Sequence, residues 1–143
     1  MKRYGEPVQT GIQYTARPGV YVILPRGNQL LVTLQDGENP EFQLPGGGID
    51  AGEHPIAALH REVMEETGWT IAAPRKLGAY RRFCYMPDYD KWAEKICNMY
   101  MARPIMQVSD PLEPDHTPVW MPADQAAVTI ASVGDRAFVQ SLL

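Results

Sequence analysis

With 143 residues and 45% apolar side chains, the chain has the length of one ordinary domain and enough hydrophobes for a core, which excludes a disordered segment. A formal net charge of −4 without any cluster of Lys and Arg argues against a general nucleic-acid binder, and no stretch approaches the roughly 18 apolar residues of a membrane span. Cys84 and Cys97 are too few for a disulfide framework, and in strand-like surroundings they read as small buried hydrophobes.

The N-terminus lacks the apolar run of a signal peptide, so a cytoplasmic protein is expected, and residues 1–15 read as a polar lead-in. Residues 20–24 and 30–34 flank Pro25-Arg26-Gly27-Asn28-Gln29, the signature of a hairpin. A turn at 36–40 leads to a short strand at 41–44 and then to a Gly-rich turn. The next element is a helix over 55–67, because Pro55 fits a first helical position and Gly68 suits the residue just past the end. Residues 77–85 and 96–102 read as strands around the loop 87–91, and 119–121 as a last strand. Pro122 opens a helix to about residue 127, and residues 135–143 form a terminal helix capped by Asp135 or Gly134. Strands and helices mix without strict βαβ alternation or repeats, which places the chain in the α/β class as a single domain over 1–143.

The chemistry concentrates on the middle helix. At about 100° per residue, Ile56, Leu59, Val63 and Thr67 share one arc, Glu62 and Glu66 lie together on its flank, and Glu65 lies farther round. His60 falls on the packing arc and reads as a satisfied core histidine. Like charges at these spacings repel, so the cluster calls for a cation, from Arg61 or from a metal. Oxygen-only ligands suit Mg²⁺ or Mn²⁺, which keep waters and substrate phosphates in their remaining positions. The turn Leu44-Pro45-Gly46-Gly47-Gly48 lets main-chain groups approach a metal or phosphate closely. Taken singly, the glycines are a loop and the glutamates a solvated helix face; their joint spacing decides.

Gly47, Glu53, Arg61, Glu62, Val63, Glu65, Glu66, Gly68 and Trp69 fill every position of the box of the Nudix hydrolase family, which this chain resembles. With average residue frequencies, a chance match in a chain of this length has a probability on the order of 10⁻⁷. The resemblance implies the Nudix α/β/α sandwich, with a mixed sheet between helices. It also implies Mg²⁺- or Mn²⁺-dependent hydrolysis of a nucleoside diphosphate linked to another group, by in-line attack of water on phosphorus.

Within that expectation Glu62 and Glu66 are the leading metal ligands, and Glu65 is either ligand or general base, with Glu62 the other carboxylate placed in the chemistry. Arg61 is grouped with them, and Glu53 is expected to pair with it and orient the box. A carbonyl of Gly46 completes the metal shell by analogy with family members. A further ligand is expected from the loop ahead of Trp120, with Glu113 favoured over Asp115; the bland reading is a Pro-stiffened polar loop. His116 in that loop is undecided.

The family's dinucleoside polyphosphate hydrolases tend to carry a Tyr at a set distance past the box, where Tyr85 falls, and its ADP-ribose hydrolases a Pro near there, with Pro87 slightly late. The favoured substrate is therefore a dinucleoside polyphosphate or a 5′-pyrophosphate end, ahead of ADP-ribose, a nucleotide sugar or a damaged nucleoside triphosphate. Tyr85, Tyr89 and Trp92 are candidates to stack on a base, and Arg81, Arg82 or Lys95 to meet phosphates. Their bland readings are core or edge strand positions. A small nucleotide, with no membrane, is the expected partner; a homodimer is left open. A non-catalytic nucleotide-sensing module is the contrasting reading, and retention of Glu62, Glu65 and Glu66 speaks against it.

Overall fold

The computed structural model describes residues 1–143. The strands are β1 (Lys2–Arg3), β2 (Thr15–Ile23), β3 (Pro25–Arg26), β4 (Gln29–Gln35), β5 (Glu41–Gln43), β6 (Gly46–Gly48), β7 (Trp69–Met86), β8 (Lys91–Gln107) and β9 (His116–Pro122). The helices are α1 (Pro55–Thr67), α2 (Ala123–Thr129) and α3 (Val133–Gln140), and a single 3₁₀ turn (Pro87–Tyr89) joins β7 to β8. A mixed five-stranded sheet runs in the order β1-β7-β8-β2-β6, with β1 parallel to β7 and β2 parallel to β8. In a second sheet β4 is central: β9 pairs along one edge, and β3 and β5 share the other.

Alternation within the strands explains the layers. Val20, Val22 and Leu24 pack with Leu31, Tyr100 and Ala102 against Ala58, Leu59 and Val63 of α1. The intervening Ile23, with Leu30, Val32, Cys97 and Met99, packs against Ala126, Ala127 and Val139 of α2 and α3. The apolar runs are thus strands buried on both faces between helices, the α/β/α sandwich. No helix is long and apolar enough to cross a membrane.

Helix α1 has the predicted bounds. Pro55 opens it, the His54 ring accepts from the Ile56 N–H at 3.1 Å, and Gly68 closes it at φ 75°, with its N–H on the Met64 carbonyl at 2.9 Å. That left-handed cap suits glycine, which has no Cβ to clash there.

Five local expectations are corrected. Residues 20–24 and 30–34 are not two arms of one hairpin: residues 24–26 fold back on β4, with the Leu24 carbonyl accepting the Leu31 N–H at 3.0 Å, while β2 runs in the other sheet between β8 and β6. Pro25 has no N–H to extend the β2 ladder, and the chain changes sheets there. Residues 1–15 are not wholly a lead-in, since Lys2 and Arg3 add an edge strand beside Tyr80 and Arg81. His60 is exposed, because it sits beyond the edge of the buried arc. The last helix starts at Val133 with Ser132 as its cap, and Asp135 is buried inside its first turn. The central strands also run longer than their apolar centres indicate, to 69–86 and 91–107.

Candidate active site

Packing of its apolar arc presents the acidic flank of α1 to β6. Glu62 lies so close to Gly47 that a Cβ there would sit 2.5 Å from the carboxyl carbon, so the glycine is demanded by the close approach of the helix. One oxygen of Glu66 accepts the Gly46 N–H at 3.1 Å, and the other lies 3.5 Å from Nε2 of His116. The His116 ring is held from behind by Thr33, Oγ1 to Nδ1 at 3.0 Å. The pairing of β4 with β9 brings Thr33 and His116 to neighbouring positions at the sheet's end.

Arg61 organises the outer side of the cluster. It donates from Nε and Nη2 to the two oxygens of Glu53 at 2.8 and 2.9 Å, and from Nη2 to the Gly48 carbonyl at 2.9 Å. Its Nη1 reaches Glu62 at 3.1 Å and Glu65 at 3.2 Å. Hydrogen bonds from Arg61 first, then the Asp50 N–H, hold the Glu53 carboxyl down at about 2. The expected Glu53–Arg61 pair is therefore present and clips the Gly-rich turn to the helix.

Burial raises Glu66 to about 8, against the opposing Gly46 N–H and with added repulsion from Glu62, Glu113 and Glu65. Glu62 is also raised, again by burial first, with Arg61 opposing and Glu65 and Glu113 adding. Glu113 belongs to the same electrostatic cluster: its N–H and that of Leu112 both bond the Glu65 carbonyl, at 2.9 and 2.8 Å, which ties the loop to the end of α1. Four carboxylates thus face a region served by one guanidinium already committed to Glu53. Their mutual repulsion fits a divalent cation. No three acidic, His or Cys side chains converge into a ready-made cage.

Beside the cluster is a cavity of about 330 Å³, bordered by Glu66 and Gly46–Gly48 at one end. Arg17 of β2, Arg82 of β7 and Lys95 of β8 contribute positive charge. At the far wall Tyr80 donates to Asp135 at 2.6 Å and lies 2.9 Å from the Ser132 hydroxyl. Burial raises the Asp135 carboxyl to about 6, opposed by the Tyr80 hydroxyl and by Arg82 and Lys95.

Of the residues singled out in the sequence, Gly46, Arg61, Glu62, Glu65, Glu66 and Glu113 come together, and Lys95 lines the cavity beside them. Arg81 and Tyr85 do not line it. Arg81 lies 3.6 Å from Glu94, and Tyr85 is 42% exposed, bonded to Asp90 and 5.2 Å from the Trp92 ring centroid. The period of two along β7 separates Arg81 from Arg82 and could have chosen between them. Arg17, Thr33 and Asp135 had no local signal as site residues, and His116 was undecided.

A family model described as NUDIX domain matches residues 15–142. A putative 8-oxo-dGTP diphosphatase of Bacillus subtilis is 38% identical over 64 residues, 45% of this chain and 43% of that protein. An RNA pyrophosphohydrolase of Halorhodospira halophila is 36% identical over 67 residues, 47% of this chain and 37% of that one. The chain therefore spans less than half the length of these curated relatives. A solved structure of a NUDIX hydrolase from Nitrosomonas europaea shares the fold, with a TM-score of 0.71 over 90% of both chains at 16% identity. With the box, the sandwich and the family model in agreement over nearly the whole chain, it belongs to the Nudix family.

Proposed function

We propose that the protein is a Mg²⁺-dependent, or Mn²⁺-dependent, cytoplasmic hydrolase, acting as a single domain on the phosphoric anhydride of a nucleoside diphosphate linked to another group. The observation that carries this reading is the polarity of the cavity: buried Glu66, which feels the charges of Glu62 and Glu113 behind it, borders the cavity, and Arg17, Arg82 and Lys95 lie along its walls. A cation site thereby adjoins a phosphate site.

Glu62, Glu65, Glu66 and Glu113, with the Gly46 carbonyl, are the groups that would hold the metal. A divalent cation bound there supplies charge neutralisation of the diphosphate and acidifies a water. Glu65, or Glu62, accepts the proton of the attacking water. Arg61 keeps Glu62 and Glu65 in place through its hydrogen bonds, and His116 fixes the second oxygen of Glu66. Arg82 and Lys95 orient the phosphates for attack in line with the leaving group.

Dinucleoside polyphosphates or 5′-pyrophosphate ends are the favoured substrates, supported by the relative named RNA pyrophosphohydrolase. The relative named putative 8-oxo-dGTP diphosphatase supports a second reading, a damaged nucleoside triphosphate. Product release from diadenosine polyphosphates, 5′-triphosphorylated RNA, ADP-ribose, nucleotide sugars and 8-oxo-dGTP, with Mg²⁺ and with EDTA, distinguishes these. Cleavage that survives EDTA would refute the metal assignment. Nucleotide binding without turnover of any substrate would replace the enzyme by a sensing module.

A further inference from the structure

Residues 1–14 lie outside the segment matched by the family model, yet part of this stretch packs directly behind residues that line the cavity. Lys2 and Arg3 extend the sheet beside Tyr80 and Arg81, and the Tyr4 N–H bonds the Arg81 carbonyl at 3.0 Å. The chain then turns, with Arg3 Nη1 donating to the carbonyls of Gly5 and Glu6 at 2.8 and 2.7 Å. This turn brings Gly5 against the Arg82 side chain, so near that an added Cβ would lie 3.5 Å from Cγ. Tyr4, Gly5, Glu6 and Arg82 share the wall of an adjoining hollow of about 370 Å³.

The Tyr4 ring meets Tyr80 edge-on, with centroids 5.4 Å apart and planes at 86°. Tyr80 is only 2% exposed, and its ring is further held by Phe138 at 6.1 Å and by the bare Cα of Gly134, where any Cβ would collide with it. From that clamped ring the hydroxyl reaches into the cavity wall, to Asp135 and Ser132. Ser132 in turn caps α3 through the Asp135 N–H at 3.4 Å.

We infer that Tyr4 is a positioning residue for the substrate cavity: it fixes Tyr80, and through the Tyr80 hydroxyl it sets Ser132, Asp135 and the first turn of α3. Tyr80 packs in the core layer of α2 and α3, whereas α1 and its carboxylates pack on the opposite face of the sheet. Loosening Tyr4 therefore disturbs the far wall and leaves the hydrolytic end in place. The inference rests on the hydrolase reading for its kinetic consequence but not for its structural one.

The test uses the full chain carrying Tyr4→Ala, Tyr4→Leu or Tyr4→Phe. Hydrogen exchange is followed at the Asp135 and Arg136 amides and, for comparison, along α1. Loss of the edge-on ring in Tyr4→Ala accelerates the two α3 amides about five-fold and leaves α1 unchanged, while Tyr4→Phe matches the parent. Tyr4→Leu, which keeps apolar bulk, serves if Tyr4→Ala does not fold, and the same acceleration is expected. With diadenosine tetraphosphate as probe, KM rises about five-fold and kcat stays within about two-fold. Unchanged α3 exchange, equal acceleration in α1, or a fall in kcat at constant KM would each overturn the inference. Absence of turnover by the parent would count against that substrate alone, and the exchange result would still decide the role of Tyr4.

Discussion

Replacing Asp135 by Asn probes a carboxyl that is 4% exposed, with its Tyr80 hydrogen bond on one side and Arg82 and Lys95 as the nearest compensating charges. Burial raises this group from 3.8 to about 6, so the folded state binds the proton more tightly than the unfolded chain. The sign follows: the group does not oppose folding below about pH 4, and its ionised form weakens the fold progressively as pH rises through 6. About two units of difference correspond to about 3 kcal/mol at pH 8, of which about half develops between pH 5 and pH 8. Asn keeps an oxygen to accept from Tyr80 and carries no charge, at a cost of about 1 kcal/mol for an amide N–H₂ with a poorer partner. Asp135→Asn is therefore expected to be about 2 kcal/mol more stable than the parent at pH 8, with the advantage shrinking towards pH 5. Urea unfolding at pH 5, 6.5 and 8, with m-values compared to confirm an unchanged transition, measures this directly. A stability difference that is independent of pH, or a variant weaker than the parent at pH 8, would refute the idea that burial of this charge dominates.

The hydrolytic end yields sharper kinetic expectations. Glu66→Gln retains an acceptor for the Gly46 N–H but removes a ligand charge, so kcat should fall at least about 100-fold with the circular dichroism spectrum intact; unchanged turnover would remove Glu66 from the metal site. Gly47→Ala drives a Cβ into the Glu62 carboxylate, and a loss of about 1–3 kcal/mol in stability with at least about a ten-fold drop in kcat is expected. Parent-like thermal unfolding and kinetics would show that α1 can move aside. Arg82→Ala and Lys95→Ala should each raise KM about ten-fold, whereas Arg81→Ala, whose guanidinium lies by Glu94 outside the cavity, should change KM less than about two-fold. Equal effects of Arg81 and Arg82 in steady-state kinetics would contradict the assignment of strand faces.

Much of the carboxylate end of the candidate site was legible in the chain because its determinants are local. Pro55 and Gly68 mark the two ends of α1, helical periodicity separates the packing arc from Glu62 and Glu66, and the spacing of Glu53 from Arg61 anticipates their ion pair. The apolar runs at 20–24, 30–34 and 96–102 likewise announce buried strands. Tertiary structure decided what those strands pair with: turn chemistry around Gly27 suggested one hairpin, but β2 found its ladder with β8, far away in sequence. Such pairing depends on which faces the helices cover, and no local pattern encodes it. The same holds for the remainder of the site. His116 acquires its place only because β9 aligns with β4 beside Thr33, and Asp135 becomes a buried wall only because Tyr80 crosses from β7 to meet α3. Lys2 to Gly5 looked like a polar lead-in because two-residue edge strands carry no periodicity, and only the exposed edge of β7 gives them a position. Local spacing thus determined the helix and its carboxylates, while long-range packing determined the cavity that would hold a substrate.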